Sequence, residues 1–307
     1  MEYRRVGKSG LKISAISLGS WITYGGSTED DVAIATIRRA LGLGCNHFDT
    51  ADVYQGGRAE EILGRALDGV VRSDVVIATK VFWPTGNGPN DRGLSRKHVV
   101  ESCERSLKRL QTDYVDILYC HRYDPEADLE ETLRALDDLV RAGKVLYAGI
   151  SEWPAFRIKE GTGLSRELGL HSLAVDQIQY NLLHRDPERE VIPACREAGM
   201  GVVAFSPLAQ GLLTGKYRPG VQAPEGSRGA GNPRMVRAEA LERVERLRPI
   251  ADAAGIPLGQ LALGWLLSRP GVTSALVGAS SPAQIEENTK AADAALPADV
   301  LEAIGKA

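Results

Sequence analysis

A single (β/α)8 barrel over residues 1–307, with an N-terminal β-hairpin and extra C-terminal helices, is the fold this sequence predicts. Three observations carry that expectation. Eight short apolar runs rich in β-branched residues recur, most of them beginning about thirty residues apart, the length of one strand–helix unit. Segments of helical period lie between them. The first run is also not followed by the G-x-G-x-x-G turn with which an open doubly wound sheet usually announces itself.

The elements follow in order. YRRVGKSGLKIS alternates around a Gly-Lys-Ser-Gly turn and reads as a small hairpin ahead of the barrel. The eight runs are AISLG (15–19), NHFD (46–49), VVIATK (75–80), VDILYCH (115–121), VLYAGIS (145–151), AVDQIQY (174–180), GVVAFS (201–206) and SALVGA (274–279). Near-continuous apolar strands alternating with helices indicate a parallel sheet covered on its outer face. In DDVAIATIRRALGLG (30–44), Val32, Ile34, Ile37 and Leu41 form one stripe that ends at glycines. RAEEILGRALDG, SRKHVVESCERSLKRL, DLEETLRALDDLVRAG and PEREVIPACREAG have the same form, with Ser95 as an N-cap and Asp128 as another, Glu131 standing three residues on. Two helical stretches, about 234–254 and 297–306, have no matching strand. The Gly- and Pro-rich stretch 217–233 is the longest candidate loop, and long loops in compact folds are usually functional. GNGPND (86–91) and GLLTGK (211–216) miss the spacing of phosphate-binding glycine motifs.

Composition narrows the function. With 43% apolar and 25% charged residues and a net charge of −3, both signs interspersed, neither a nucleic-acid footprint nor a basic membrane-binding face is expected. No window approaches the length of an apolar membrane span, and the N-terminus has no signal-like apolar region. Cys45, Cys103, Cys120 and Cys195 form no C-x-x-C pair. His47, His98, His121, His171 and His184 show no metal-ligand spacing, so no metal site is expected. These features together indicate a cytoplasmic protein with reduced thiols.

In a barrel of this kind the active site stands at the carboxyl ends of the strands. There the second run ends in Asp49 and leads to Tyr54, the third ends in Lys80 and the fourth in His121. The fifth ends in Ser151-Glu152, the sixth carries Gln177, and the seventh ends in Phe205-Ser206-Pro207. Each has a plain structural reading. Asp49 caps a turn, Tyr54 is a loop tyrosine, Lys80 snorkels to solvent and His121 is a satisfied structural histidine. Their conjunction on three adjacent strands is less readily explained that way. A phenol titrates near pH ~10. A neighbouring ammonium lowers that value, a carboxylate keeps the ammonium charged and oriented, and a histidine bonds a carbonyl oxygen. Such a group polarises C=O and delivers a proton as hydride arrives at carbon.

At these residues the chain resembles the aldo-keto reductases. The resemblance runs essentially end to end, through GLKISAISLGSW, FDTADVY, VVIATK, YVDILYCH, FSPLAQGLLTGKY and GASSPAQIEEN. It is strongest toward the potassium-channel β-subunit-like branch and its bacterial aldehyde reductases. The resemblance implies a carbonyl reductase using NADP, with Tyr54 as proton donor, Lys80 and Asp49 tuning it, and His121 orienting the carbonyl. It implies that Ser151 and Gln177 hold the nicotinamide carboxamide, with Phe205 behind the ring and Asp49 nearby. Ser206, Pro207, Leu208, Lys216 and Arg228 would line the pyrophosphate and its strap. Gly278, Ser280, Gln284, Glu287 and Asn288 would hold the adenosine end. Ser20 and Trp21 would lie near cofactor and substrate mouth, and the substrate would meet Trp21, Tyr54, Trp83 and His121.

Three departures bear on this. Glu152 stands where many members carry Asn or Arg, and Gln284 where many use Arg on the 2′-phosphate, leaving Lys216, Arg228 and Lys290 as cations. His121 stands where the channel β-subunits carry Asn, which favours an ordinary reductase. The substrate is a small-molecule carbonyl compound of open identity. Trp21, Tyr24, Trp83, Tyr123 and Trp153 all follow strand ends as candidate walls, with Trp21 and Trp83 the preferred contacts. The sequence ends in ADVLEAIGKA without a long C-terminal substrate loop, so an open mouth and permissive aldehyde use are expected. Relatives of the channel type assemble into tetramers or larger rings, which points to a possible homo-oligomer. Two other classes remain: a cofactor-binding redox sensor or partner module with slow turnover, and a Schiff-base lyase acting through Lys80.

Overall fold

All eight apolar runs form strands, and they pair in parallel around a closed ring. A computed structural model describes residues 1–232, 236–292 and 295–307. The antiparallel hairpin is β1 (Tyr3–Arg5) and β2 (Lys12–Ser14). The barrel strands are β3 (Ile16–Gly19), β4 (His47–Asp49), β5 (Val76–Val81), β6 (Val115–Cys120), β7 (Val145–Ser151), β8 (Leu173–Gln179), β9 (Gly201–Phe205) and β10 (Val272–Gly278), with β10 closing onto β3. Between them run α1 (Asp30–Gly42), α2 (Arg58–Leu67), α3 (Arg96–Leu110), α4 (Leu129–Arg141), α5 (Ala155–Glu167) and α6 (Val191–Ala198). The turn α7 (Arg228–Gly231) and α8 (Ala238–Ala254) then precede α9 (Leu258–Leu267), and α10 (Pro282–Thr289) and α11 (Ala298–Lys306) end the chain. The stretch expected to be helical from about residue 234 thus begins, as far as described, at Ala238; residues 234 and 235 lie outside the described residues.

The predicted caps are present with one difference. Ser95 Oγ accepts from His98 N at 3.3 Å, and Asp128 Oδ1 accepts from Glu130 N at 2.8 Å. Glu131 does not close a capping box with Asp128. Its carboxylate accepts instead from Arg96 N at 2.8 Å, so the first turn of α4 ties down the free amide at the start of α3.

Apolar burial divides into two layers. The larger lies between strands and helices. The smaller fills the barrel, where Val76, Ala78, Ile117, Tyr119, Val175, Val203 and Leu276 meet Val6 and Ile13 from the hairpin. Each fully buried aliphatic side chain there contributes about 1.5–3 kcal/mol. The hairpin therefore stops the amino-terminal end of the barrel. Its turn is held by Lys8 N donating to Gly199 O at 2.8 Å, and Gly7 makes that approach possible: its φ is +56°, and a Cβ there would stand 2.2 Å from the same oxygen.

Among the described residues no single helix is long and apolar enough to cross a membrane. The four cysteines are buried and separate.

Candidate active site

Side chains on a strand alternate faces, so the inward residues of each barrel strand are fixed by parity. Counting in twos from the interior residues Val76, Ile117, Val175 and Leu276 reaches Lys80, His121, Gln177 and Gly278 at the carboxyl end. Together with Gly19, Asp49, Ser151 and Phe205 they end the inward face at its open rim, and all of these except Lys80 line one cleft of about 930 Å³.

At its floor is a buried ion pair between Lys80 Nζ and Asp49 Oδ1. Asp49 Oδ2 accepts from Gln177 Nε2 at 2.7 Å, and Lys80 also donates to Thr50 O at 2.8 Å. The third direction of the ammonium is toward Tyr54, whose ring centroid is 4.9 Å from Nζ. Burial alone pulls the Lys80 value down; Asp49 first, and then Tyr54, reverse this and leave it raised. A charged Lys80 with three directed contacts suits three N–H donors. Burial pushes Asp49 up, opposed by Lys80 and Gln177.

Tyr54 corrects one expectation. The ammonium does act to lower its value, but burial outweighs it and the phenol stands above its ordinary value. Tyr54 is therefore a neutral hydrogen-bond donor at neutral pH. His121 meets it edge-on, ring centroids 5.8 Å apart, and Trp83 meets His121 edge-on at 6.2 Å. Burial, then Lys80 and Arg122, lower His121 to about 2, so its imidazole is neutral. Below this tier, His47 Nδ1 bonds Ser17 Oγ at 2.8 Å, and Ser17 Oγ bonds Ser274 Oγ, which donates to Ser14 O at 2.8 Å.

Behind the Tyr54 loop lies an acidic cluster that sequence reading did not find. Glu60 is fully buried, accepting from Thr79 Oγ1 at 2.5 Å and from Arg109 Nε at 2.6 Å. Burial, then the Glu60 charge, pushes neighbouring Asp52 up to about 7. A carboxyl raised on folding stabilises most below its unfolded value near 3.8, and that stability is lost as pH rises through about 7. Between pH 5 and 8 this group alone removes roughly 2–3 kcal/mol. Asp52→Asn is expected to flatten the pH dependence by that amount, read from urea unfolding of both proteins at the two pH values.

The second limb of the cleft is lined by Ser206, Pro207, Leu208, Lys216, Arg228, Ser280, Gln284, Glu287 and Asn288. Gly226, Ser227 and Arg228 bring the long loop of 217–233 to its wall, though Pro233 lies outside the described residues. Among the described residues no carboxylate lies within ion-pair distance of Lys216 or Arg228, and burial lowers Arg228, which favours an anionic ligand there. Gln284 Oε1 accepts from Ser280 N at 2.9 Å, and Ser281 caps α10. Backbone strain gathers at this rim. Of seven non-glycine residues with positive φ among the described residues, Ile22, Gln55, Ser206 and Gln210 line the cleft. A long cleft with an acid–base floor and two unpaired cations on its far limb fits a nicotinamide dinucleotide.

Several sequence expectations are placed differently. Ser20 is buried beneath the cleft lining, its Oγ without a partner. Lys290 is paired with Glu287 at 2.7 Å. Glu152 turns away, its carboxylate accepting from Gln179 N at 2.6 Å. Tyr24 and Trp153 are buried, and Tyr123 packs edge-on against Trp153 at 5.2 Å; of the five aromatic candidates Trp21 and Trp83 line the cleft. Arg122, which follows His121 directly, also lines it and was missed.

The model of the aldo/keto reductase family matches residues 15–307. The chain is 46% identical over 303 residues to a probable voltage-gated potassium channel subunit beta from Arabidopsis thaliana, covering 95% of this chain and 92% of that one. It is 45% identical over 303 residues to a probable voltage-gated potassium channel subunit beta from Oryza sativa subsp. japonica, with the same coverage. To a putative voltage-gated potassium channel subunit beta from Schizosaccharomyces pombe it is 42% identical over 306 residues, covering 95% of this chain and 88% of that one.

Proposed function

The chain belongs to the aldo/keto reductase family, whose members are generally NAD(P)H-dependent oxidoreductases, and from that premise we propose that it reduces aldehydes or ketones to alcohols with NADPH. The observation that carries the reading is the convergence of the neutral Tyr54 phenol, the neutral His121 imidazole and the Lys80–Asp49 pair at the floor of the cleft. The bound cofactor supplies the hydride. Tyr54 and His121 hold the carbonyl oxygen, and Tyr54 gives its proton to that oxygen as charge develops. Lys80 stabilises the phenolate left behind, and Asp49, held by Gln177, keeps the ammonium aimed. Trp21 and Trp83 wall the substrate side, and Ser151, Gln177 and Phe205 hold the nicotinamide.

NADP is favoured over NAD by the two unpaired cations, Lys216 and Arg228, and by the resemblance. Gln284 would supply no charge for a 2′-phosphate. Gln284→Arg is therefore expected to raise the NADPH-to-NADH ratio of kcat/KM by roughly tenfold, since a hydrogen bond to a charged group contributes about 1.5–3 kcal/mol. An unchanged ratio removes Gln284 from the adenosine end.

The test of the function is loss of NADPH absorbance with purified protein and a panel of small aldehydes and ketones. Turnover supports the reductase. NADPH binding seen by fluorescence, with no turnover on any carbonyl, supports a second reading, a redox-sensing partner module; the relatives, named as channel subunits, favour the partner role. The resemblance to the channel-type branch is the reason to expect a homo-oligomer.

A further inference from the structure

Arg122 has a position that the reduction chemistry does not use. It follows His121 at the end of β6 and lines the cleft beside Tyr54 and Trp83. Its guanidinium is fixed rather than loose: Nη1 donates to His121 O at 2.5 Å and approaches Ser151 Oγ at 3.4 Å, and Cζ stands 5.8 Å from the Trp83 ring centroid. Its charge reaches the reacting groups, for it lowers both His121 and Tyr54.

Among the described residues no carboxylate lies within ion-pair distance of it; Asp176, which feels its charge, is fully buried and raised well above its ordinary value by burial, and two other acids near it are engaged. Asp49 is held by Lys80 and Gln177, and Glu152 by the Gln179 amide. A guanidinium presents five N–H donors in a planar fork that matches a carboxylate. Here one wall of the site is the partly exposed Trp83 indole, an aromatic face on which a guanidinium stacks. The His121 ring and the Arg122 fork both stand about 6 Å from the same Trp83 ring, so one small molecule reaches both.

Resting on the reductase reading above, we propose that Arg122 is a specificity-determining residue that selects carbonyl compounds carrying a carboxylate, separated from the C=O by a short chain or one aromatic ring. The carbonyl oxygen meets Tyr54 and His121 while the carboxylate meets Arg122.

The test compares the 2-, 3- and 4-formylbenzoates with their methyl esters, which keep the ring and aldehyde and lose the charge. Wild type is expected to favour at least one acid over its ester by tenfold or more in kcat/KM, and Arg122→Met to lower that acid-to-ester ratio at least tenfold. Arg122→Lys keeps the charge without the fork and is expected to fall between. A ratio unchanged by Arg122→Met, with esters reduced, overturns the proposal and leaves the reductase intact. NADPH affinity that weakens as much as the acid-to-ester ratio assigns Arg122 to the cofactor and also overturns it. Binding of benzoate against benzamide to the NADPH-saturated protein, followed by tryptophan fluorescence, decides the matter independently of turnover. At least tenfold weaker benzoate binding in Arg122→Met, with no aldehyde reduced by wild type, upholds the anion site and defeats the reductase reading. Equal benzoate and benzamide binding in wild type overturns the anion site.

Discussion

Tyr54→Phe is expected to lower the rate of carbonyl reduction by about 10²- to 10⁴-fold, the usual worth of a positioned general acid, with NADPH affinity within about twofold of wild type. The ring stays to pack against His121 and Lys80, so only the hydroxyl, with its proton and its contact to Lys80, is removed. Single-turnover loss of NADPH absorbance, beside a fluorescence titration, separates the two effects. A rate close to wild type would take the proton-donor role away from Tyr54. The pH profile is a second check. His121 titrates near 2, so no imidazole limb should cross the range from pH 5 to 8, and activity should fall only on the alkaline side as Tyr54 loses its proton.

The other large effect is on stability. Lys80→Met leaves the Asp49 carboxylate buried without its cation, which costs about 3–5 kcal/mol when one member of a buried pair is removed. Asp49→Leu combined with Lys80→Met removes both charges and is expected to recover much of that loss, with no return of activity. Urea unfolding of the two single variants and the double variant measures the coupling. If Lys80→Met alone were neutral, the pair would not be a buried contact sealed from solvent.

Much of this was legible because strand parity does two jobs. The same period of two that buries Val76 and Ala78 brings Lys80 to the rim, and the same holds for Ile117, Tyr119 and His121. Site residues on strand ends could therefore be read from the runs. Helices without a stripe were harder. LGQLALGWLL in α9 is apolar nearly all round, because it is buried on all sides, and α5 is interrupted by Gly161, where Trp153 packs, and Gly163. The direction of the Tyr54 shift was misread because a nearby ammonium is visible in sequence and the depth of burial is not. Arg122 and the Asp52–Glu60–Arg109 cluster escaped for a related reason. Which way a side chain leaves a loop, or which helix crosses behind it, depends on contacts between distant segments.

The stopper formed by the hairpin has a kinetic consequence. Polar groups do continue below the Lys80–Asp49 pair, through His47, Ser17 and Ser274, but that path ends on the main-chain oxygens of Ser14 and Ala15, which carry no proton to hand on. Beneath it, among the described residues, lie Val6 and Ile13, the apolar side chains of the plug. On the reductase reading the site is then a cul-de-sac. Hydrogen ions that recharge Tyr54 would arrive through the same doorway as the carbonyl compound, a doorway occupied until the alcohol has gone. Recharging would wait on departure, and each turnover would reset the acid only after the pocket has been vacated.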